Sequence, residues 1–383
     1  MKVAIIYSQM FDCDGKEQRV GGIETYLINL GNLCSSIGWQ PIIYQRANNR
    51  FERMINNIRV IGLPIKNKSF KKIKLELYRT VIKEIDLDRD ILIFGGDHHS
   101  VPTDYARSIT IQHGILWDLP LEYLTRKKIF YSKLSGLLYR LRLAYQYSKI
   151  FDNCPNRVCV DYNFLNWYRT ISTNKQKGKI WVVPNCAPNI ATEEQIHKRD
   201  FNDRDIRIIF ARRLTIYRGT RLMAFAIKKI LQQYDNVSIT IAGEGPDENY
   251  LKTEFQDIAR VSFIKYLPEQ SLNIHLAHDI AVIPSIASEG TSFSVAEALS
   301  AGCAIVATCI GGITNMIINN YNGILIMPNE NALLDAIKQL IENKYLRKKL
   351  SINAYETAKA SFNIEEWKEK WRMILYEVAG TRS

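Results

Sequence analysis

Short apolar runs rich in β-branched residues alternate with amphipathic stretches along the whole 383-residue sequence. Seven runs precede residue 184, at 3–7, 41–44, 59–61, 91–94, 109–112, 157–160 and 180–183, and six follow it, at 206–210, 237–242, 261–264, 280–283, 304–307 and 324–326. Helical patterns such as 22–37, 220–234 and 332–343 separate these runs. Such an alternation predicts parallel sheets that are covered by helices on both faces. Two series in succession predict an α/β protein with two doubly wound domains.

The boundary between the two domains is expected after Val183. The segment 184–188 ends the last strand of the first series, and the polar, charge-mixed segment 189–205 follows it. We therefore assign residues 1–184 to an N-terminal domain and residues 205–363 to a C-terminal domain. The final helix, within 364–383, carries Trp367, Trp371 and Leu375 on one stripe, and this apolar stripe has to be covered by another part of the fold.

Composition restricts the classes of protein that the chain can represent. A hydrophobic content of 46% with 23% charged residues predicts a soluble globular protein, with neither a signal peptide nor a membrane-spanning segment. The seven cysteines lack the C-x2-C spacing of zinc ligands and are interpreted as reduced thiols. Asp86 and Asp88 are interpreted as a solvated turn, and His275 and His278 as ordinary helix residues. We therefore expect no metal.

The positive charge is confined to one half of the chain. The net charge is +12, and residues 1–180 hold 28 Lys and Arg against 16 acids, whereas the remainder holds 23 of each. The excess is concentrated in 66–83 and 121–149, and the second stretch interleaves basic residues with leucines and aromatics. This pattern favours a helix that lies on an anionic membrane surface. A basic helix that packs its leucines internally is the alternative, and no sequence pattern of a nucleic-acid-binding module is present.

The segment from Glu289 to Glu297 combines three kinds of ligand contact. Small residues let backbone N–H groups approach a ligand, and the start of a helix there would receive a phosphate. Glu297, one turn inside the helix, could accept two hydrogen bonds from a vicinal diol such as a ribose, and Glu289 would meet a sugar on the diphosphate. The candidate contacts between the two acids are Gly290, Thr291, Ser292, Phe293 and Ser294. An ordinary buried helix with solvated glutamates is the alternative interpretation.

Residues 289–308 resemble the E-x7-E motif of retaining GT-B glycosyltransferases, in particular glycosyltransferase family 4. Ala298, Gly302 and residues 305–307 match the family pattern, and Ala304 stands where the family usually has proline. The resemblance implies a GT-B fold, in which two Rossmann-like domains face one another across a cleft. It implies that the C-terminal domain holds a nucleotide-sugar donor and the N-terminal domain the acceptor. It also implies that the helix in 364–383 packs back on the first domain.

Two further motifs of this family are linked to the donor diphosphate. Gly21 and Gly22 resemble its G-G-x-E/A motif, in which backbone amides before a helix approach an anion; a flexible turn is the alternative. The segment 211–219 resembles G-R-L-x-x-x-K-G, so that Arg213 matches the arginine and Arg218 stands in place of the lysine. Arg212 replaces the first glycine, and its bulk is expected to tighten the loop. Both matching cations would neutralise the charge that develops as the phosphate bond breaks.

Other matches to the family pattern are less specific. Gly243 belongs to a G-x-G-P turn near the nucleotide, and Tyr266 stands where the family contacts the base. Residues 311–313 resemble its late G-G loop. Asn185 matches a P-N-G element, with cysteine at the next position, and we interpret it as mainly structural.

Two histidine sites follow predicted strands of the first domain. His113 matches the active-site histidine of the family, which contacts the donor sugar or the acceptor. Asp97, His98 and His99 follow the preceding strand, and ligands in open α/β sheets bind at such strand ends. Isolated histidines are often structural, so both sites remain candidates.

The resemblance implies a retaining glycosyltransferase that uses a UDP- or GDP-sugar and needs neither a cofactor nor a metal. Glu289, His113, Arg213 and Arg218 are the predicted catalytic residues. The expected acceptor is a lipid-linked or other saccharide of bacterial surface polysaccharide assembly, with the protein cytoplasmic and peripheral on the inner face of the membrane. A GT-B nucleotide-sugar epimerase or hydrolase, and a non-catalytic nucleotide-sugar-binding partner of another transferase, remain as alternatives.

Overall fold

The computed structural model describes residues 1–120, 133–172, 178–201, 204–287 and 289–380. The chain forms two compact units. The first contains residues 1–113, 137–183 and the segment from Trp367 onward, and the second contains residues 114–136 and 184–366. Each unit is built on one largely parallel sheet with helices between the strands, so the predicted α/β class with two Rossmann-like domains is confirmed.

The sheet of the first unit has eight strands. They are β1 (Lys2–Ile6), β2 (Gln40–Ala47), β3 (Phe51–Ile55), β4 (Ile58–Pro64), β5 (Ile91–Phe94), β6 (Ser108–Gln112), β7 (Asn156–Cys159) and β8 (Lys179–Val182). Their order across the sheet is β3-β4-β2-β1-β5-β6-β7-β8, and every pairing is parallel except that of β3 with β4.

Strand β3 is absent from the predicted runs because its residues lack an apolar pattern. Glu52, Arg53 and Met54 are exposed at the edge of the sheet, where only one neighbouring strand supplies hydrogen bonds. The hairpin between β3 and β4 turns at Asn56, whose φ of 52° lies in the left-handed region that asparagine tolerates.

The sheet of the second unit has six parallel strands. They are β9 (Ile206–Ala211), β10 (Val237–Ala242), β11 (Val261–Ile264), β12 (Ile280–Ile283), β13 (Ala304–Thr308) and β14 (Ile324–Ile326), in the order β11-β10-β9-β12-β13-β14. The strand order reverses direction between β9 and β12. Such a switch point opens a crevice at the carboxyl ends of the strands, where ligands of open α/β sheets bind.

Helices lie between most of the strands along the chain, and three helices follow the last strand. The helices are α1 (Gly22–Ser36), α2 (Phe70–Val81), α3 (Lys133–Phe151), α4 (Tyr162–Ile171), α5 (Glu193–His197), α6 (Thr220–Gln233), α7 (Glu248–Phe255), α8 (Ser271–Leu276), α9 (Phe293–Ser300), α10 (Glu330–Glu342), α11 (Lys344–Ser361) and α12 (Ile364–Ala379). Short 3₁₀ helices span Asp97–His99, Ile216–Arg218, Pro268–Gln270 and Gly311–Asn315. In the described parts of the chain, no helix is long and apolar enough to cross a membrane.

The final helix and the described part of the linker 189–205 are both ordered, and this part of the linker is more ordered than the sequence indicated. The segment 189–205 contains α5, which begins with a capping box between Thr192 and Gln195 and buries Ile196. The segment from Trp367 belongs to the first unit. There the indole N–H of Trp371 donates to the hydroxyl of Tyr26 over 2.8 Å, so the apolar stripe of α12 is covered by α1.

Candidate active site

The carboxyl ends of the strands at the switch point of the second unit carry the charged groups of the candidate site. Arg212 follows β9, Gly243 follows β10, and Ser285 and Glu289 follow β12. The N–H of Arg212 still donates to the carbonyl of Ala242 over 2.9 Å, so the extended pairing of β9 with β10 continues past the end of the strand. The sheet therefore fixes the backbone position from which the side chain of Arg212 extends.

Glu289 is the centre of a buried ion cluster. Its Oε1 lies 2.5 Å from Nη2 of Arg212 and also accepts from Nη1 of Arg218. The hydroxyl of Ser285 donates to the same oxygen over 2.5 Å. Glu289 is 4% exposed and Arg212 is 6% exposed, so both charges are held away from water. One carboxylate oxygen thus joins three groups from two different strand ends.

The electrostatic environment keeps this cluster ionised. Burial by itself raises the pKa of Glu289, but the charges of Arg218 and Arg212 and the hydrogen bond from Ser285 outweigh it, so the pKa lies below the usual value. Burial lowers the pKa of Arg212, and Glu289 partly offsets this effect. For Arg218 the carboxylate outweighs burial, and the pKa is raised. Because arginine titrates far above neutral pH, both guanidinium groups remain charged.

Arg212, and not Arg213, is the arginine that reaches Glu289. The side chain of Arg213 is exposed, because consecutive residues of an extended segment point to opposite sides. The Nε and Nη1 atoms of Arg212 are buried, and no acceptor among the described residues lies within hydrogen-bond distance of them. Unpaired buried donors are rare and costly, which makes this guanidinium suited to an incoming oxyanion. Arg212 thus takes the place beside Glu289 that the motif gave to Arg213, and Arg218 contacts the same carboxylate.

Backbone contacts hold the Glu289 segment from two sides. The N–H of Gly312 donates to the carbonyl of Glu289 over 3.0 Å, and Gly311 has a φ of 52°, at which a Cβ would lie 2.1 Å from the same carbonyl oxygen. Asn185 donates its backbone N–H to Oγ1 of Thr291 over 2.8 Å and its amide to the carbonyl of Thr291 over 2.6 Å. The predicted late G-G loop and Asn185 therefore act as clamps on this segment.

The start of α9 is open to an anion. Thr291 and Ser292 are buried ahead of the helix, and Ser292 at the N-cap position makes no capping hydrogen bond with its side chain. Phe293 and Ser294 form the first turn and are half-buried, and Gly290 precedes the cap. Without a side-chain cap, the first N–H groups of the helix are left to other acceptors, which suits a phosphate.

Glu297 lies one turn further along the same helix, in a partly enclosed position. Burial raises its pKa to about 7, and a hydrogen bond with Ser271 acts in the opposite direction. Burial and, to a smaller extent, the charge of Glu297 raise the pKa of the Tyr266 hydroxyl. Tyr266 also packs against the hydrophobic cluster that contains Val295, Ala298 and Leu299 of α9.

Gly243 sits where a larger residue would collide with the arginine loop. Its φ is 136°, and a Cβ at this position would lie 2.2 Å from the carbonyl oxygen of Arg212. The close approach of the two strand ends therefore requires glycine, and Gly243 acts on the site through the backbone of Arg212.

His113 occupies the end of β6 in the first unit and is held as a neutral imidazole. Its Nε2–H donates to the carbonyl of Gly95 over 2.9 Å, and its ring lies edge-on to Tyr26 at 5.0 Å. Burial lowers its pKa to about 4, although the hydrogen bond with Gly95 raises it. With Nε2 as the donor, Nδ1 is the acceptor atom of this side chain at neutral pH.

The second histidine site lies at the ends of β1 and β5. Nε2 of His99 is 2.7 Å from Oγ of Ser8, and burial holds the pKa of His99 well below its usual value. His98 stacks on Phe70 with 6.0 Å between ring centroids, and its Nδ1 lies 3.7 Å from Oδ1 of Asp97. The predicted residues are thus brought together at the carboxyl edge of the sheet.

Gly21 and Gly22 stand at the start of α1, as predicted. Gly21 is the N-cap residue in extended conformation, and Gly22 begins the helix. A Cβ on Gly21 would lie 2.5 Å from Oε2 of Glu24, and Oε1 of Glu24 accepts from the hydroxyl of Tyr7 over 2.7 Å. In this structure an acidic side chain of the chain itself therefore lies beside the first turn of the helix.

His275 and His278 are structural. Nδ1 of His275 is 2.8 Å from the carbonyl of Ser271, and His278 contacts the carbonyl of Ile274 over 2.7 Å and the hydroxyl of Thr240 over 2.7 Å. Within the residues that the structure describes, no group of three His, Cys, Asp or Glu is placed to hold a metal.

Comparison with known proteins agrees with this arrangement. Residues 191–357 match the family model of the glycosyl transferases group 1. An uncharacterized glycosyltransferase of Methanocaldococcus jannaschii (MJ1607) is 27% identical over 214 residues, which cover 54% of this chain and 50% of the relative. The chain thus spans about half the length of the curated relatives it matches.

Solved structures extend the similarity to nearly the whole chain. Sucrose-phosphate synthase from Thermosynechococcus elongatus has a TM-score of 0.75 at 15% identity and covers 99% of both chains. HepE from Anabaena, solved with UDP and glucose, has a TM-score of 0.69 at 15% identity and covers 98% of this chain and all of its own. At this level of identity the likeness establishes the fold.

The chain therefore has the GT-B fold. Within its second unit, residues 191–357 are similar to the glycosyl transferases group 1, and the matched residues include the ion cluster and helix α9. The description of this family agrees with the predicted enzyme class, a glycosyltransferase.

Proposed function

We propose that this protein is a retaining glycosyltransferase that moves a sugar from a UDP- or GDP-sugar to a hydroxyl group of a lipid-linked or other saccharide acceptor. The observation that carries the proposal is the buried cluster in which Arg212 and Arg218 meet Glu289 immediately before the uncapped start of α9. It places two guanidinium groups and a helix N-terminus around one small region, which is the arrangement that a diphosphate requires.

The ionic groups have separate roles in the transfer. In the reaction the bond between the anomeric carbon and the β-phosphate oxygen breaks, and a bond from that carbon to the acceptor oxygen forms. The leaving phosphate oxygen takes the proton of the acceptor hydroxyl on the same face of the sugar, which retains the anomeric configuration. Arg212 and Arg218 stabilise the negative charge that develops on the diphosphate, and this preorganised stabilisation needs no metal.

Glu289 and Glu297 orient the donor at its two ends. Glu289, fixed by the arginines, accepts hydrogen bonds from hydroxyl groups of the transferred sugar. Glu297 accepts from the ribose diol in its ionised form. A site built from such hydrogen bonds discriminates strongly between hydroxyl patterns.

The first unit is assigned to the acceptor. His113 is neutral at physiological pH, so it contacts the donor sugar or the acceptor hydroxyl by hydrogen bonding and not as a cation. The positive charge of this half of the chain favours an acceptor held at an anionic surface, and we place the protein on the inner face of the cell membrane, in bacterial-type surface polysaccharide assembly.

The test is binding and slow hydrolysis of a panel of nucleotide sugars. UDP-glucose, UDP-N-acetylglucosamine, UDP-galactose and GDP-mannose are titrated calorimetrically into the wild type and into Arg218→Gln, Glu297→Gln and Arg207→Gln. Loss of a charged hydrogen bond to the diphosphate weakens binding about tenfold or more in Arg218→Gln. Arg207→Gln is the matched control, because Arg207 is an exposed arginine near the start of β9 whose side chain pairs with Asp279 and not with Glu289.

The outcomes separate the candidate functions. Binding of one nucleotide sugar that weakens in Arg218→Gln and Glu297→Gln, but not in the control, supports the transferase and names its donor. Turnover of that donor without any acceptor at the full rate favours the epimerase or hydrolase, and binding without turnover in the presence of membrane extracts favours the non-catalytic partner. If none of the four sugars binds the wild type, the proposed donor site is wrong.

A further inference from the structure

The sheet of the first unit has two faces, and different helices cover them. Side chains of a strand alternate between the faces, so that Ile61 of β4 and Ile58 of the same strand point to opposite sides. Ile61 packs in one core cluster with Ile73 of α2, whereas Ile58 lies against Gly31 of α1. Helices α1 and α2 therefore lie on opposite faces.

Helices α3 and α4 share the face of α2. The carbonyl of Ser100 accepts from Nζ of Lys74 in α2 over 2.7 Å, and the hydroxyl of the same serine donates to the carbonyl of Ile150 in α3 over 3.2 Å. Phe151 at the end of α3 packs edge-on against Phe164 of α4, with 4.9 Å between ring centroids. The right-handed crossovers from β4 to β5, β6 to β7 and β7 to β8 put all three helices on one side.

Helix α12 lies with α1 on the other face. Trp371 of α12 donates to Tyr26 of α1, and Tyr376 packs edge-on against Trp39, three residues after the end of α1, with 5.4 Å between ring centroids. The first unit thus has a face made by α2, α3 and α4, which we call the basic face, and a face made by α1 and α12.

The charge of the two faces differs sharply. The sequences of the three helices on the basic face contain nine Lys and Arg and one acid, Glu76. The two helices on the opposite face contain three Lys and Arg and five glutamates. Lys71, Lys72, Arg79 and Arg142 are all exposed on the basic face. The positive excess is therefore oriented, and it is not spread over the unit as a solubility effect would be.

Helix α3 also presents an apolar stripe to solvent. Its members recur at the spacing of one helix face, and their exposed fractions are high: Leu134 65%, Leu137 54%, Leu138 57%, Leu141 48% and Tyr145 48%. On the other side of the helix, Ala144 and Ser148 are buried against the unit. Hydrophobic residues on the outer face of a helix that already has a buried side are typical of a surface that meets another partner.

We propose that the basic face docks on an anionic lipid bilayer, with the leucine stripe of α3 entering the interface between head groups and acyl chains. Lipid is the occupant that fits both observations, because exposed leucines flanked by arginine and lysine match the apolar and the anionic layers of a membrane surface. The inference rests on the membrane location given in the proposed function and deepens it by naming the docking face, including α4. It can be tested without any transfer reaction.

The docked orientation follows from the arrangement of the sheet. With α2, α3 and α4 against the bilayer, α1 and α12 face away from it, and the carboxyl edge that carries His99 and His113 lies to the side of the contact. A saccharide that extends from a lipid in the same bilayer then approaches this edge without leaving the membrane surface. Part of the basic stretch 121–149, residues 121–132, lies outside the described residues and does not enter the argument.

The test is co-sedimentation with vesicles of phosphatidylcholine alone and vesicles that also contain phosphatidylglycerol. The wild type binds the anionic vesicles, and added salt weakens but does not abolish binding. The variant with Lys71→Gln and Lys72→Gln binds about 25-fold more weakly, since each basic residue near an anionic surface contributes about fivefold. The variant with Leu137→Glu and Leu141→Glu loses the part of the vesicle binding that added salt does not abolish. The matched control carries Lys370→Gln and Met373→Glu on α12, where both residues are exposed, and it binds like the wild type.

All variants change exposed side chains, and unchanged thermal unfolding verifies that each is folded. Equal binding of the wild type to both kinds of vesicle, or equal losses in the α3 variant and in the α12 control, overturns the proposal. Light scattering tests whether a second copy of the chain covers this face instead. A wild-type dimer that the variant with Leu137→Glu and Leu141→Glu dissociates, together with no binding to vesicles, identifies the second copy as the occupant. This result also overturns the proposal. Calorimetric binding of UDP-glucose tests the donor site separately, so that failure of the membrane proposal is distinguished from failure of the proposed donor site.

Discussion

Replacement of Glu289 by glutamine should destabilise the second unit, because it leaves two guanidinium groups without their shared carboxylate. Removal of one partner of a buried ion pair costs about 3–5 kcal/mol. Arg218 keeps partial access to water, and the glutamine oxygen still accepts from Ser285, so we expect a loss of about 3 kcal/mol in the free energy of unfolding. For a domain of this size, such a loss lowers Tm by about 6–12 °C.

The pH dependence of this effect has a defined sign. The folded-state pKa of Glu289 lies below its usual value of 4.5, so its ionisation contributes stability that is present above that value and is lost as the pH falls through the folded pKa. The difference in unfolding free energy between the wild type and Glu289→Gln should therefore be constant at neutral pH and become smaller in acid. UDP should raise the Tm of the variant, because its diphosphate supplies the missing anion.

Amide hydrogen exchange resolves the effect to the second unit. Exchange of the amides of β9 and β12 reports the local opening of the strands that carry the cluster, and circular dichroism during heating reports the whole chain. Glu194→Gln is the control, because Glu194 forms an exposed ion pair with Lys198 that contributes little. A loss below about 1 kcal/mol in Glu289→Gln, or an equal loss in the control, would refute the reasoning that the cluster is held by this carboxylate.

Three further predictions test other contacts. The affinity of the wild type for UDP-glucose should rise with pH around the pKa of Glu297, about 7, because the ionised acid accepts both ribose hydroxyls; Glu297→Gln should show a flat profile by calorimetry between about pH 6 and pH 8. Gly243→Ala should lower the free energy of unfolding, measured by chemical denaturation, by about 3 kcal/mol or more, since it combines a positive φ with a backbone collision. Gly38→Ala also has a positive φ, but nothing lies within 4 Å of the new Cβ, so it should lower the free energy of unfolding by about 1 kcal/mol. Trp371→Phe should lose about 1–2 kcal/mol of stability, and its effect should be non-additive with Tyr26→Phe in a double-mutant cycle, where additivity would argue against their hydrogen bond.

Much of the fold follows from the sequence because buried parallel strands are apolar throughout. Every strand of the second unit, from β9 to β14, overlaps a predicted run, since both faces of this sheet are covered and its strands are mostly apolar, with Arg207 of β9 as an exposed exception. Strand β3 could not be found in this way, because a strand at an edge with one solvated face follows no apolar pattern.

The site was predicted less completely than the fold. The position of Glu289 and of α9 follows from the spacing of small and acidic residues in 289–297. Arg212 and Arg213 lie on opposite sides of an extended segment, and only one side faces the ligand. Which side it is depends on the pairing of β9 with β10, which continues past the last residue of the run predicted for β9. If the arginine of the motif is allowed to lie one residue earlier, it falls on Arg212, which lies six positions before Arg218. Ser285 has no local signal, because only the folded loop after β12 brings its hydroxyl to Glu289.

The membership of α12 in the first unit has a consequence for the order in which the chain can fold during synthesis. Trp371 pairs with Tyr26 across 345 positions of sequence, and residues 184–366 of the second unit lie between them. The ribosome therefore releases the complete second unit before the last helix of the first unit is available. Until α12 is synthesised, the side of α1 around Tyr26 cannot pack against the indole of Trp371. The second unit can therefore finish folding before the first unit does. A chaperone that recognises exposed aromatic surface would be expected to engage the nascent chain on this side of α1 and to leave it once α12 emerges.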